Sequence, residues 1–352
     1  MKTIIKYGVL PPLAIGLVAM SLTASPATAK REPALRYTIT ELEVPAGYTG
    51  STATDINASG QVVGSVSKDA LNIQACLWSR GKIKMLGTLG GCSSAASGVN
   101  AFGEVVGYSY TKEGDRYAFL YSAGRMSSLG ALGTARDSEA SAVNSKGQIA
   151  GYSQFEEGSQ GFLYENSMMV GLGSLGGVRG KAFDINASGH VVGETTVKRF
   201  DSGSRAFLWK DGKMSDISLA GSDLSVANAV NDRGQAVGFG LTDQREYQAF
   251  LYSDGKVRDL GMLPGSRDTR PTDINNLGWI VGTAYKQQGN LAITLTTRAC
   301  LYWNGRWYDL NDLIPASSGW RLDAASAIND KGQIVGAGTH NSKHRAFLMT
   351  PQ

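Results

Sequence analysis

Adjacent apolar pairs, each followed by glycine, recur along the chain: Val62-Val63-Gly64, Val105-Val106-Gly107, Ile149-Ala150-Gly151, Val191-Val192-Gly193, Ala236-Val237-Gly238, Ile280-Val281-Gly282 and Ile334-Val335-Gly336. A strand with one wet face alternates apolar and polar residues. Two neighbouring apolar residues therefore predict a strand buried on both sides, as in a sheet packed between other sheets. The glycine marks a bulge or a close approach of backbone. Before each pair stands a turn with asparagine first and glycine fourth, Asn57-Ala58-Ser59-Gly60 being the earliest. Those are the residues that such turns favour.

The seven asparagines are Asn57, Asn100, Asn144, Asn186, Asn231, Asn275 and Asn329, separated by 43, 44, 42, 45, 44 and 54 residues. A period in the forties is that of propeller modules rather than of heptads or short solenoid turns. Each module predicts four antiparallel strands. In the first, Ala53 to Asn57 opens the module, Gln61 to Val66 follows the turn, and the third strand holds Ala75-Cys76-Leu77-Trp78. A hairpin at Arg80-Gly81 leads to a fourth strand ending at Leu86-Gly87. Asp211-Gly212, Asp254-Gly255 and Asn304-Gly305 repeat that hairpin with dipeptides that favour a tight type I′ turn. The pattern predicts an all-β, seven-bladed β-propeller of four-stranded antiparallel blades.

A propeller must close, because an open end exposes an unpaired sheet edge. The last repeat offers three strands, Leu322 to Asn329, Gln333 to Gly338 and Arg345 to Thr350. The alternating run Arg36 to Val44 is the candidate for the fourth, so the N-terminal strand is expected to close the last blade.

Residues 1–29 read as a secretory signal. Lys2 and Lys6 give a basic start, Tyr7 to Leu22 is mostly apolar, and Ala27-Thr28-Ala29 is a small-residue cleavage site. The expectation is cleavage after Ala29, a secreted or periplasmic protein, and a propeller domain over 30–352 with no later membrane span. The formal charge of +4 falls to +2 when Lys2 and Lys6 are removed with that segment, which contains no acid. Such a balance argues against a nucleic-acid partner or an anionic membrane surface.

The repeat also sorts the candidate chemistry. Cys76 and Cys300 occupy the slot of Phe119, Phe162, Phe207, Phe250 and Phe347, which makes them buried small hydrophobes, and Cys92 falls in a connecting loop. Gly171-Leu172-Gly173-Ser174-Leu175-Gly176 matches a dinucleotide pattern, yet it links two strands where the motif needs a helix, so no cofactor is expected. The stretches starting at Asp55, Asp184 and Asp273 resemble calcium loops but lack the later acidic ligands. His340 and His344 have a helical metal spacing in a strand connection, so no metal is expected there either. No nucleophile elbow occurs, and carboxylates assembled from separate blades are invisible to sequence spacing.

Over residues 36 to 352 the repeats resemble those of the HAF repeat family of secreted bacterial proteins. The histidine that names that family is replaced before the Ala-Phe pair by Tyr117, Arg205, Gln248 and Arg345, so no role of that histidine carries over. The resemblance implies an exported repeat protein. Function falls to the variable loops, which share one face of a propeller. Arg136, Arg179 and Arg267 stand at equal offsets there as a possible arc for carboxylate or sulfate groups, and Trp320 ends an insertion as a possible stacking or anchoring residue. The expectation is a noncatalytic binding module for a cell-surface glycan or protein partner. The alternatives are a carbohydrate-active enzyme with carboxylates from several blades and a structural envelope protein.

Overall fold

A computed structural model describes residues 35–198, 203–244, 246–288 and 294–352. The expected signal segment, residues 1–29, lies outside the described residues. The described chain is a β-propeller. In the first module the strands Gly50–Ile56, Val62–Ser67, Ile73–Ser79 and Lys82–Gly87 lie side by side in chain order, inner edge to outer edge. Arg80-Gly81 and Asp211-Gly212 both have positive φ, the type I′ geometry that lets two strands reverse without splaying.

The expectation of seven separate four-stranded blades is corrected. The described strands form five four-stranded blades and one eight-stranded sheet, which takes in the second and third repeats. The join is a parallel pairing of Asp137 with Arg116. The outer strand Arg125–Gly130 stops opposite Ala118 and leaves the start of Arg116–Ser122 uncovered, as Lys82–Gly87 does opposite Ala75 in the first module; what marks the join is the side-chain pairing there. Asp137 fills that gap, and its carboxylate accepts from Arg116 Nε at 2.8 Å.

The N-terminal strand Tyr37–Glu41 lies antiparallel to Lys343–Pro351, with Tyr37 opposite Pro351 and Glu41 opposite Phe347. It is shorter than the run Arg36 to Val44, and it stands outermost in the last sheet. Glu41 accepts from Arg345 Nε at 2.9 Å and is bridged to His340 Nδ1 at 2.6 Å.

The core lies between neighbouring sheets. Val63 and Ala75 of the first module pack with Val99, Val105 and Phe119 of the second, all buried. Phe119, Phe162, Phe207, Phe250 and Phe347 are fully buried, and so are Cys76 and Cys300 in the same slot. Each such ring withdrawn from water contributes roughly 1.5–3 kcal/mol. Burial pushes both thiols well above the ordinary cysteine range. All three cysteines are free, and Cys92 sits exposed near the start of the strand Gly90–Val99 instead of in a loop.

The repeated glycine is a close-approach residue. A Cβ on Gly64 would lie 2.0 Å from the Thr52 carbonyl oxygen, because the bulge is in the neighbouring inner strand between Ala53 and Asp55.

The repeated asparagine does more than start a turn. Asn57 Oδ1 accepts from the N–H groups of Ser59 and Gln61, while Nδ2 donates to Gln61 Oε1 at 2.8 Å and to the Asn100 carbonyl at 2.9 Å. The second Nδ2 bond runs onward to the carbonyl of the next asparagine in every repeat, through Asn144, Asn186, Asn231, Asn275 and Asn329. Asn329 returns it to Asn57.

Candidate functional site

The loop face, away from the asparagine turns, holds all four residues singled out in the sequence. Arg136, Arg179 and Arg267 each stand one residue before an inner strand, Asp137–Val143, Gly180–Ile185 and Asp268–Ile274. All three are exposed. They do not share one cavity. Arg136 borders a hollow with Gln154 and Glu157, whereas Arg179 borders a separate one with Lys181 and Glu194. Arg136, largely solvated, lies 3.9 Å from the partly buried Asp115.

Trp320 begins the strand Trp320–Ile328 and is only partly exposed. One face of its indole stacks on His340, with centroids 4.7 Å apart and planes 3° from parallel, and its edge meets Phe347. It therefore packs over the last module and helps to seat His340 beside Glu41. In the sixth module Ile280–Gln288 pairs with Thr294–Trp303 as far as Gln288 opposite Thr294, a ladder longer than in the other modules. Residues 289–293 lie outside the described residues.

A hollow of about 750 Å³ opens between the sixth and last modules on this face. Lys286, Arg298, Arg321, Asp309, Asp323 and His344 line it. Arg298 is held on three sides: Nη1 bonds Asp309 Oδ2 at 3.1 Å, and Nη2 donates to Ser266 Oγ at 2.9 Å and to the Pro264 carbonyl at 3.5 Å. Asp309 Oδ1 in turn accepts from Asn311 N and Nδ2, capping the short 3₁₀ turn Leu310–Leu313. Asn311 then stitches this turn to the last module through Leu322 N and the Leu322 carbonyl, at 2.8 and 3.1 Å. Arg321, well exposed, pairs with Asp323 at 3.0 Å. The wall is thus a set of donors and acceptors, Arg298 and Asp309 held in place and Lys286 and Arg321 exposed, with three cationic side chains against two carboxylates.

Sequence reasoning missed this set because its members come from two modules and from strand ends that show no shared spacing. It also missed the role of Asp55, Asp184 and Asp273. Each sits in the central channel and accepts twice from backbone: from the residue after it, and from Val99, Val230 or Ile328 of the next repeat at 2.8, 2.8 and 2.7 Å. Burial pushes all three carboxyls up, against the pull of those N–H bonds, Asp184 to about 7 and Asp273 to about 8. Mutual repulsion among them adds to the rise in Asp184 and Asp273.

Among the described residues no group of three or more His, Cys, Asp or Glu side chains is placed to hold a metal ion. His340 and His344 sit on adjacent strands, opposite Lys343 and Thr339, and His340 is engaged with Glu41 and Trp320. Gly171 ends the strand Met168–Gly171 and leads to the strand Gly180–Ile185, so the glycine run meets no helix. No helix among the described residues is long and apolar enough to cross a membrane.

Residues 177–348, just under half of the chain, match the family model described as protein of unknown function DUF3466. No curated protein matches the sequence. Among solved structures, the chain is similar to the β-propeller domain of the trilobed protease from Pyrococcus furiosus, at 10% identity and a TM-score of 0.57, covering 87% of this chain and 97% of that one. That domain is described as having an open velcro topology, whereas here the Tyr37–Glu41 strand pairs across the seam. The chain is also similar to Pyrococcus horikoshii acylaminoacyl peptidase, at 11% identity and a TM-score of 0.55, covering 89% of this chain but 54% of that one. A Mycobacterium tuberculosis puromycin-hydrolyzing peptidase matches at 13% identity and a TM-score of 0.51, over 85% and 52% of the two chains. At such identities the likeness is one of fold.

Proposed function

We propose that this chain is an exported, noncatalytic β-propeller that binds a glycan of the cell surface on its loop face, as a member of the HAF repeat proteins. The observation that carries the reading is the hollow between the sixth and last modules, where Lys286, Arg298, Arg321, Asp309 and Asp323 present donors and acceptors around a held Arg298–Asp309 pair. Alternating charged and amide groups suit the hydroxyls and carboxylates of sugars, which need many oriented hydrogen bonds and little apolar burial. A glycan array probed with the protein beside Arg321→Ala and Lys286→Ala tests this. Saturable binding weakened by either substitution is the expected result, and an array without binding overturns the glycan ligand.

One observation favours a second reading, a carbohydrate-active enzyme: Asp309 and Asp323 reach one hollow from two modules. Turnover of a bound glycan that is lost in Asp309→Asn or Asp323→Asn, with binding retained, would establish it. Export is tested by N-terminal sequencing of the secreted or periplasmic protein, with Lys30 expected as the first residue.

A further inference from the structure

At the other end of the channel each asparagine turn carries one more backbone N–H, that of the residue after the asparagine. In three repeats the next repeat supplies its acceptor. Ala187 N donates to Asp232 Oδ1 at 2.8 Å, Asp232 N to Asn276 Oδ1 at 2.8 Å, and Asn276 N to Asp330 Oδ1 at 2.7 Å. In the other four repeats the equivalent N–H groups are those of Asp330, Ala58, Ala101 and Ser145, and none has an acceptor among the described residues. The reason lies in the sequence. The positions that would supply the acceptor are Ala58, Ala101, Ser145 and Ala187, whose side chains carry no carbonyl or carboxylate oxygen.

These four donors are consecutive around the ring and border a depression of about 240 Å³ at the channel mouth. Lys331 and Lys146, both exposed, follow directly after Asp330 and Ser145, the two ends of the crescent. We infer that the crescent Asp330-Ala58-Ala101-Ser145 binds the carboxylate of a small ligand, whose oxygens take the place that the side chains of Asp232, Asn276 and Asp330 fill on the opposite half of the mouth. Backbone N–H groups turned to one concavity form an anion site without any charged side chain in contact, and here four repeats supply one each. The volume admits a molecule the size of an amino acid or a single sugar acid. The carboxylates of Asp330, at one end of the crescent, and of Asp232, across the mouth, repel a second negative charge, which selects a monoanion over a phosphate dianion. This site is independent of the loop-face hollow.

The test is an amide-resolved NMR titration with sodium acetate at constant ionic strength, with acetamide and inorganic phosphate in parallel. Saturable shifts centred on the amides of Ala58, Ala101, Ser145 and Asp330 are expected from acetate, with those of Ala187, Asp232 and Asn276 unmoved. Ala101→Asp would place a carboxylate where Asp232 stands in the capped half, offering Ala58 N an internal acceptor. Acetate binding should weaken at least tenfold, with no loss of melting temperature, and Ser145→Asp provides the same readout through Ala101 N. The inference is overturned by shifts that never saturate, by an equal response to acetamide or phosphate, or by folded variants that bind acetate as the parent does.

Discussion

Asn329 Nδ2 donates to the Asn57 carbonyl at 3.1 Å, joining residues 272 positions apart. It is the same bond that Asn57 makes to Asn100, so the inner edge of the propeller is fastened by one unbroken circle of side-chain amides. Each asparagine donates one amide hydrogen to the next repeat and accepts at least twice at its oxygen, and all but Asn275, where Trp279 stands four residues on, place the other hydrogen against the side chain at that position, which fits the near-complete burial of all seven.

Replacing one member should be costly. In Asn144→Ala, the N–H groups of Lys146 and Gln148 lose their acceptor, and Gln148 Oε1 and the Asn186 carbonyl each lose a donor. A loss of about 2–4 kcal/mol is expected from four bonds and the buried groups left unpaired. Urea unfolding of the variant measures it, and a loss below about 0.5 kcal/mol would show that water repairs the circle.

The N-terminal strand should act as a clasp. Deleting residues 30–45 removes Tyr37, Ile39 and Leu42 from the core and exposes the edge of Lys343–Pro351. A fall in melting temperature of more than about 10 °C is expected. Glu41→Ala tests the charged part alone, leaving the buried Arg345 without its carboxylate. Because Glu41 is itself more than a third exposed, the cost should be only about 1–2 kcal/mol. An unchanged melting temperature in the deletion would show that closure does not depend on this strand.

Stability should decline as pH rises. Asp184 and Asp273 have folded-state values of about 7 and about 8, above the 3.8 of an unfolded aspartate. Between those limits the folded state holds more protons than the unfolded one. The contribution is therefore fully present below about pH 4 and is lost as pH climbs through 7 to 8. Each group accounts for a slope of at most about 1.4 kcal/mol per pH unit. Melting curves from pH 5 to 8 should show the decline, and Asp273→Asn should flatten it while lowering stability at pH 5, since its amide cannot accept from both Ile274 and Ile328.

The glycine after each apolar pair should resist substitution. A Cβ on Gly238 would lie 1.9 Å from the Val226 carbonyl oxygen and 2.8 Å from Phe250 Cζ. Gly238→Ala should cost about 3 kcal/mol or more. Gly161→Ala, whose new atom comes no nearer than 3.2 Å, should cost about 1 kcal/mol or less. Equal losses in the two variants would refute close approach as the reason for the repeat.

Much of the fold was legible because a module is built from local signals. Adjacent apolar pairs marked strands covered on both sides, and Val62, Val63, Val105 and Val106 are indeed buried. Cys76 and Cys300 could be placed by analogy with phenylalanine. What escaped depends on contacts between modules. Nothing within the second or third repeat announces that Asp137 will pair with Arg116 and merge two sheets. Asn57 looked sufficient as a turn former, because its bond to Asn100 needs a partner that no spacing reveals. The three arginines were correctly seen as equivalent, yet equivalence around a ring separates residues as readily as it gathers them. The hollow lined by Arg298 and Arg321 belongs to the irregular sixth module and its neighbour, where the repeat offers least guidance.

Gln352 N donates to the Arg36 carbonyl at 2.9 Å, so the two ends of the described ring lie side by side in one sheet. A closed circle whose ends touch has no obligatory starting point. Joining residue 352 to residue 36 by a few glycines and opening the chain at the exposed Arg80-Gly81 hairpin would leave every asparagine bond intact. Such a circular permutant moves the entry and exit of the polypeptide from the last module to the outer edge of the first. The propeller can in this way be displayed from a different side of its circumference without altering either face.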